Sequence, residues 1–283
     1  MRSNGEVGIV ALRAMTAGET LDAAVALLRQ RALPLIPVAL VLAAGEQILL
    51  FGLRAYSGME PPFYYLPPRL SEPSWWPVIG LGFAVEAFII ALLAAYAGAA
   101  AGPALLGRAV GHLALFKRIR PVPAVAIALL VAVLSGTAAL AGLVLWPLVY
   151  GVTALATAVL TVDRPANPLT AVARAAGRAT RGGMRGVGVL ILGYLTWAVV
   201  RTALGSGWIA VADLFQSVSG ASWLVWAVPV AWTLANAVAY AALACLNAVL
   251  LLEIRIRTEG LDIAVNRARS RGTDPAAALV VKR

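Results

Sequence analysis

The chain has 283 residues, of which 61% are hydrophobic and 13% charged, with a formal charge of +10 and a mean hydropathy of +0.86. A soluble domain carries about 45–50% apolar and about 25% charged residues, so this chain cannot cover a globule of its size in water, and the bilayer must be the solvent for most of it. The single cysteine, Cys245, lies in an apolar run, which leaves neither a disulfide framework nor a cysteine-based metal site.

The first recognisable element is MTAGETLDAAVALLRQR. Thr16 to Glu19 fits a capping box, with Leu21, Val25 and Leu28 on one face and Asp22 and Arg29 on the other, which predicts a short amphipathic helix along the membrane. The first 31 residues hold no continuous apolar run of the signal-peptide kind, so the first span reads as an internal signal-anchor. Runs long enough to cross a hydrocarbon core of about 30 Å then fall at 32–53, 77–101, 121–141, 144–162, 186–204 and 223–252. The third and fourth come from one uncharged stretch, Val122 to Val162, which as a single helix would be about 60 Å long and must fold back. Gly142 to Pro147 is the expected turn, with Trp146 and Tyr150 suited to an interface. The loop from 54 to 76, rich in proline and aromatics, is expected to lie extended over the outer surface.

Charge placement sets the topology. Arg2, Arg13, Arg29 and Arg31 precede span 1; Arg108, Lys117, Arg118 and Arg120 separate spans 2 and 3; Arg164, Arg174, Arg178, Arg181 and Arg185 separate spans 4 and 5; Arg255, Arg257, Arg267, Arg269, Arg271, Lys282 and Arg283 follow span 6. Only Arg54, Arg69 and Arg201 fall on the other side, while all eight tryptophans fall in the outer half or the outer loops of the same arrangement. The positive-inside rule then puts both termini in the cytoplasm. The expectation is an all-α helix bundle of six spans in three outward hairpins, in a bacterial cytoplasmic membrane. Residues 1–31 form an N-terminal segment, 32–252 the membrane domain and 253–283 a cytoplasmic tail.

Two inner segments carry most of this charge. In ANPLTAVARAAGRATRGGMR, Asn167 and Pro168 suit a helix start, and Arg174, Arg178, Arg181 and Arg185 follow helical spacing as a basic stripe, with Gly182 and Gly183 placed to break its last turn. The stripe suits anionic lipid headgroups or an acidic protein partner, or serves simply as a topology anchor. GPALLGRAVGHLALFKRIR repeats the amphipathic theme from Pro103. In LLEIRIRTEGLDIAV the apolar run turns abruptly into Glu253, Arg255, Arg257, Glu259 and Asp262. If the helix continues, Glu253 pairs with Arg257 and Arg255 with Glu259, Gly260 ends it, and Asp262 caps a further short helix.

These segments resemble bacterial membrane proteins related to the glycerophosphoryl diester phosphodiesterase membrane domain. GETLDAAVALLRQR is similar to that family's segment before its first span, DRPANPLTAVARAAGRATRGGMR to the one after its fourth, and LLEIRIRTEGLDIAV to its ending, although Ala175 and Met184 depart from the pattern. The resemblance implies a membrane module without the catalytic domain, which would need paired histidines and acidic metal ligands where this chain has His112 alone.

Inside the spans, Glu46, Glu86, Arg201 and Asn236 stand out, because an ionised side chain at the bilayer centre costs about 2.5–3.5 kcal/mol on insertion scales. They suit a polar site for a lipid headgroup or a proton relay. Equally they suit helix glue, with one carboxyl protonated, another paired to Arg201 or Arg54, and Asn236 and Asn247 bonding across helices. Gly98 with Gly102, Gly182 with Gly186, and Gly136 are candidate tight helix contacts. No cofactor, metal or nucleic-acid partner is expected; the bilayer and a membrane or cytoplasmic protein are. The functional expectation is a non-catalytic assembly or support component in envelope or membrane maintenance, the alternative a transporter or lipid-handling protein.

Overall fold

The computed structural model describes residues 10–58, 73–215, 218 and 221–280. Among them every regular element is helical, and six helical stretches are long and apolar enough to cross a membrane: Ala32–Tyr56, Trp75–Leu105, Pro121–Leu140, Trp146–Asp163, Arg185–Asp213 and Leu224–Glu259. The chain is a polytopic membrane protein. Most of the loop expected to lie over the outer surface falls outside the described residues.

The N-terminal helix α1 (Ala17–Gln30) starts at the expected capping box: the Thr16 hydroxyl accepts from the Glu19 amide and the Glu19 carboxylate from the Thr16 amide. Arg13 and Thr16 together hold that exposed carboxyl down at about 2. The first two spans are α2 (Ala32–Tyr56) and α3 (Trp75–Leu105). The amphipathic segment expected from Pro103 onward shrinks to the five-residue α4 (His112–Phe116), because Pro103 belongs to the last turn of α3 and Gly107, at φ 69°, ends that helix.

The uncharged stretch folds back as expected, between α5 (Pro121–Leu140) and α6 (Trp146–Thr153), with Gly142 and Leu143 both left-handed at φ 93° and 66°. Pro147 opens α6 from its first turn, where its missing N–H is harmless. Trp146 and Tyr150, expected to suit an interface, are buried among aromatic rings of the protein. The fourth span is completed by α7 (Ala156–Asp163), after a brief interruption at residues 154–155.

The helix carrying Arg174 and Arg178 is α8 (Pro168–Thr180), with Asn167 capping it as expected. It ends at Gly182 and Gly183, both left-handed, so Arg185 belongs to the next helix, α9 (Arg185–Thr202). Through a π-helical turn at Ala203–Gly207, α9 continues into α10 (Trp208–Asp213), which lengthens the fifth span beyond its expected end at 204. The final span, α11 (Leu224–Glu259), has 36 residues and so runs about 54 Å, well past a hydrocarbon core. The expected boundary at 252 falls inside it. Gly260, at φ 64°, ends it, and α12 (Leu261–Ser270) begins at once; Asp262 therefore lies inside α12, and no side chain caps its start. A 3-10 turn, Pro275–Leu279, follows.

Buried along residues 239–256, α11 is the pillar against which α1, α2, α3 and α9 pack. The outer surface of the bundle remains apolar, with Ile48 76%, Val133 61% and Val199 70% exposed, as lipid-facing helices require. Segments that the sequence placed on one side do gather at one end, called here the basic end: Arg31 donates to the Val110 carbonyl, Arg120 to that of Pro165, and Arg108 pairs with Asp274. At the opposite end Trp75, Ile209, Leu224, Val228 and Trp232 form a small cluster of their own.

Small residues let the helices close up. A Cβ on Gly98 would meet the Thr161 hydroxyl and the Ala158 Cα at 3.0 Å, so α3 and α7 touch backbone to backbone. Gly98→Ala should lower thermal stability by about 1–3 kcal/mol. The control is Gly45→Ala, where nothing lies within 4 Å and improved helix propensity should leave stability unchanged or higher. Melting in detergent checks both, and equal behaviour of the two variants would contradict the close contact.

Candidate functional site

Two groups of charged side chains lie out of water, one inside the bundle and one at its basic end. Inside, the four residues singled out from the sequence come together from α2, α3, α9 and α11. Tyr240 Oη lies 2.9 Å from both oxygens of the Glu46 carboxylate, and the Asn236 amide nitrogen donates to Oε2 at 3.2 Å. Arg201 Nη1 meets Glu86 Oε1 at 2.8 Å, and its Nη2 donates to the Tyr194 hydroxyl at 2.6 Å. The guanidinium also lies over the rings of Tyr194 and Tyr240, 5.1 and 5.8 Å from their centroids. Tyr240 thereby joins the two carboxyls into one cluster.

Glu86 and Arg201 neutralise each other, as the pairing expectation requires. Glu46 is held by neutral donors, so it can exchange a proton without breaking an ion pair. Sequence reasoning missed the aromatic wall: Trp146, Tyr150 and Tyr194 stack within 4.4–5.3 Å of one another. A signal existed, since Tyr240 lies one turn after Asn236 and Tyr194 two turns before Arg201. Three buried polar atoms here, Tyr150 Oη, Trp146 Nε1 and Asn236 Oδ1, have no hydrogen-bond partner among the described residues. Arg54 bonds Gln47 at 2.8 Å. Asn247, expected to bond across helices, is fully buried, and neither of its amide atoms is bonded among the described residues.

At the basic end, the arginine stripe and the charged tail form a single network around Asp163, whose side chain is fully buried at the end of α7. Arg178 Nη1 reaches Asp163 at 2.5 Å, while Arg174 and Arg255 approach the same carboxylate at 3.7 and 3.4 Å. Arg178 Nε also donates to Glu259 at 2.8 Å, which Arg255 meets at 3.0 Å and Arg181 at 3.6 Å. Burial of the Arg178 guanidinium opposes its charge, but Glu259 and Asp163 overcome this and raise its pKa.

A second buried carboxylate at this end, Glu253, takes Arg257 at 2.8 Å and Arg185 at 3.6 Å. Both arginines also donate to the Met15 carbonyl just ahead of α1, at 2.9 and 2.7 Å, and Arg255 donates to the Leu279 carbonyl at 2.6 Å. Both expected i, i+4 pairs of the tail are present. The stripe therefore does not face outward as a whole: Arg178 is 5% exposed and points into the protein. Asp262 makes no side-chain bond among the described residues. Asp163 was the missed hub, and a lone acid two residues before Pro165 carries little signal by itself.

Among the described residues no group of three or more His, Cys, Asp or Glu side chains could hold a metal ion. His112 Nδ1 instead lies 2.9 Å from the Tyr96 hydroxyl. Comparisons with protein-family models, with curated proteins and with solved structures find no match to this chain.

The Glu86–Arg201 pair gives a sharp stability test. Glu86→Gln strands a buried guanidinium and should cost about 3–5 kcal/mol, whereas adding Arg201→Met should recover most of it. Unfolding in detergent measures both; a double variant as unstable as the sum of the two single ones would show that the pair is not coupled.

Proposed function

We propose that the protein is a non-catalytic component of a bacterial cytoplasmic membrane that supports or assembles a partner in envelope or membrane maintenance, with its basic end and both termini in the cytoplasm. The observation that carries this reading is the basic-end network, in which three carboxylates and six arginines fasten the segment before α1 together with α7, α8, the end of α11 and the segment at Leu279. Such a body is pre-organised for docking, because little ordering entropy remains to be lost on binding. Since the stripe arginines are engaged internally, the partner-facing positions move to α12, where Arg267 and Arg269 are exposed beside Ile263, itself 59% exposed. The likeness of three segments to membrane proteins related to the glycerophosphoryl diester phosphodiesterase membrane domain agrees with such a role and belongs to the same proposal.

The second reading is lipid handling or transport through the intramembrane cluster. It is favoured by the Tyr150, Trp146 and Asn236 atoms left unbonded among the described residues of this cluster, since buried polar groups without partners mark places where a ligand or water can bind. Purification from the native membrane in mild detergent, with mass spectrometry of co-purifying proteins and lipids, separates the two. A stoichiometric protein, lost when Arg267 and Arg269 are replaced by glutamine, is the expected result. A specific lipid without any protein, lost in Glu46→Gln with Glu86→Gln, would overturn it in favour of the second reading.

A further inference from the structure

Beside the network lies a cavity of about 260 Å³ between the ends of α3 and α7 and the turn at Pro275–Leu279. Gly98 and Gly102 form part of its wall with Leu279 and Val280, and Arg118 and Arg164 are the charged residues of the lining. Its size is just below that of small-molecule sites, about 300–1,000 Å³, enough for a headgroup and too little for a whole lipid.

The two arginines differ from their neighbours. Arg31, Arg108, Arg120, Arg174, Arg178 and Arg255 each meet a carboxylate or a carbonyl, whereas the side chains of Arg118 and Arg164 have no partner among the described residues. They come from separate elements, Arg118 just after α4 and Arg164 just after α7. Arg164 also holds a left-handed backbone, φ 53° and ψ 50°, a conformation unfavourable for a side-chain-bearing residue and one that tends to persist at ligand clamps.

Next to the cavity, α4 exposes Leu113 by 71% and Phe116 by 48%, followed by Lys117 and Arg118. Exposed apolar side chains running into cations are the pattern of a segment that dips into a headgroup layer. Two guanidinium forks suit a paired-oxygen anion such as a phosphodiester, and the exposed apolar side chains of α4 beside them point to an anion held at a lipid surface.

We propose that this cavity binds a phosphate group, that of an anionic membrane lipid, through Arg118 and Arg164. The site is separate from the paired charges inside the bundle and does not depend on the support role. The test uses the full chain in phosphatidylcholine nanodiscs doped with phosphatidylglycerol, with retained lipid read by native mass spectrometry. Wild type should retain phosphatidylglycerol over phosphatidylcholine. Arg118→Gln with Arg164→Asn should weaken this roughly thirtyfold, for two arginines each contributing about 1 kcal/mol at an anionic surface. Asparagine tolerates the left-handed backbone, so the variant keeps its turn.

Val280→Trp, which fills the mouth without changing charge, should also lose the lipid, while Arg267→Gln with Arg269→Gln on α12 should keep it. Inorganic phosphate that displaces the lipid would assign the same site to a soluble phosphate; failure to displace it assigns the site to the lipid. Retention unchanged in the Arg118 and Arg164 variant, or equal loss in the α12 control, would overturn the proposal.

Discussion

Asp163 has no exposed side-chain surface, yet it sits where the fourth span ends and water should begin. A carboxylate withdrawn from water must bring its counter-charges with it, since an unpaired buried charge costs several kcal/mol. Arg178 supplies the first and reaches on to Glu259, so the end of α7 is tied to the end of α11 through one guanidinium. Arg255 closes the triangle from α11 itself and fixes the Leu279 carbonyl. The joining of α7, α8, the end of α11 and Leu279 follows from satisfying this one group, while Glu253 with Arg185 and Arg257 ties in the segment before α1.

The same rule operates inside the bundle with different partners. Glu86 is answered by a full charge, Arg201, while Glu46 is answered by neutral hydroxyl and amide donors. In a membrane the hydrophobic effect does not drive helix against helix, so such bonds act with close backbone packing to set which helices meet. The central helix uses both devices: Asn236 and Tyr240 bind it to α2, and Gly193 on α9 leaves room for Leu246.

Most of the fold was legible because composition and helix length are strong signals in a bilayer. All six spans and the capping box at Thr16 could be read from residue order alone, since each depends on local sequence. The four intramembrane polar residues were legible for a similar reason, as charge among apolar residues needs explaining wherever it falls. What could not be read was direction. Helical spacing shows that Arg174 and Arg178 share a face but not whether it turns to the lipid or to the protein; only the position of Asp163, on another helix, decides that. Likewise Trp146 and Tyr150 resemble interface residues until Tyr194 packs on them from α9. The π-helical turn at Ala203–Gly207 left no sequence signal beyond two glycines, and its geometry follows from the Trp232 ring packing on Gly205 and bonding Ser206.

The ties between α7, α8, the end of α11 and the Leu279 segment meet at Asp163, so the order of these segments rests on it. Hydrogen–deuterium exchange of Asp163→Asn against wild type tests this directly, because the substitution keeps the side-chain shape and removes the charge. Faster exchange appearing together in α8, in residues 253–259 and around Leu279 is the result predicted. Faster exchange confined to the residues next to Asp163, with the other segments protected as in wild type, would contradict a single charge-held body.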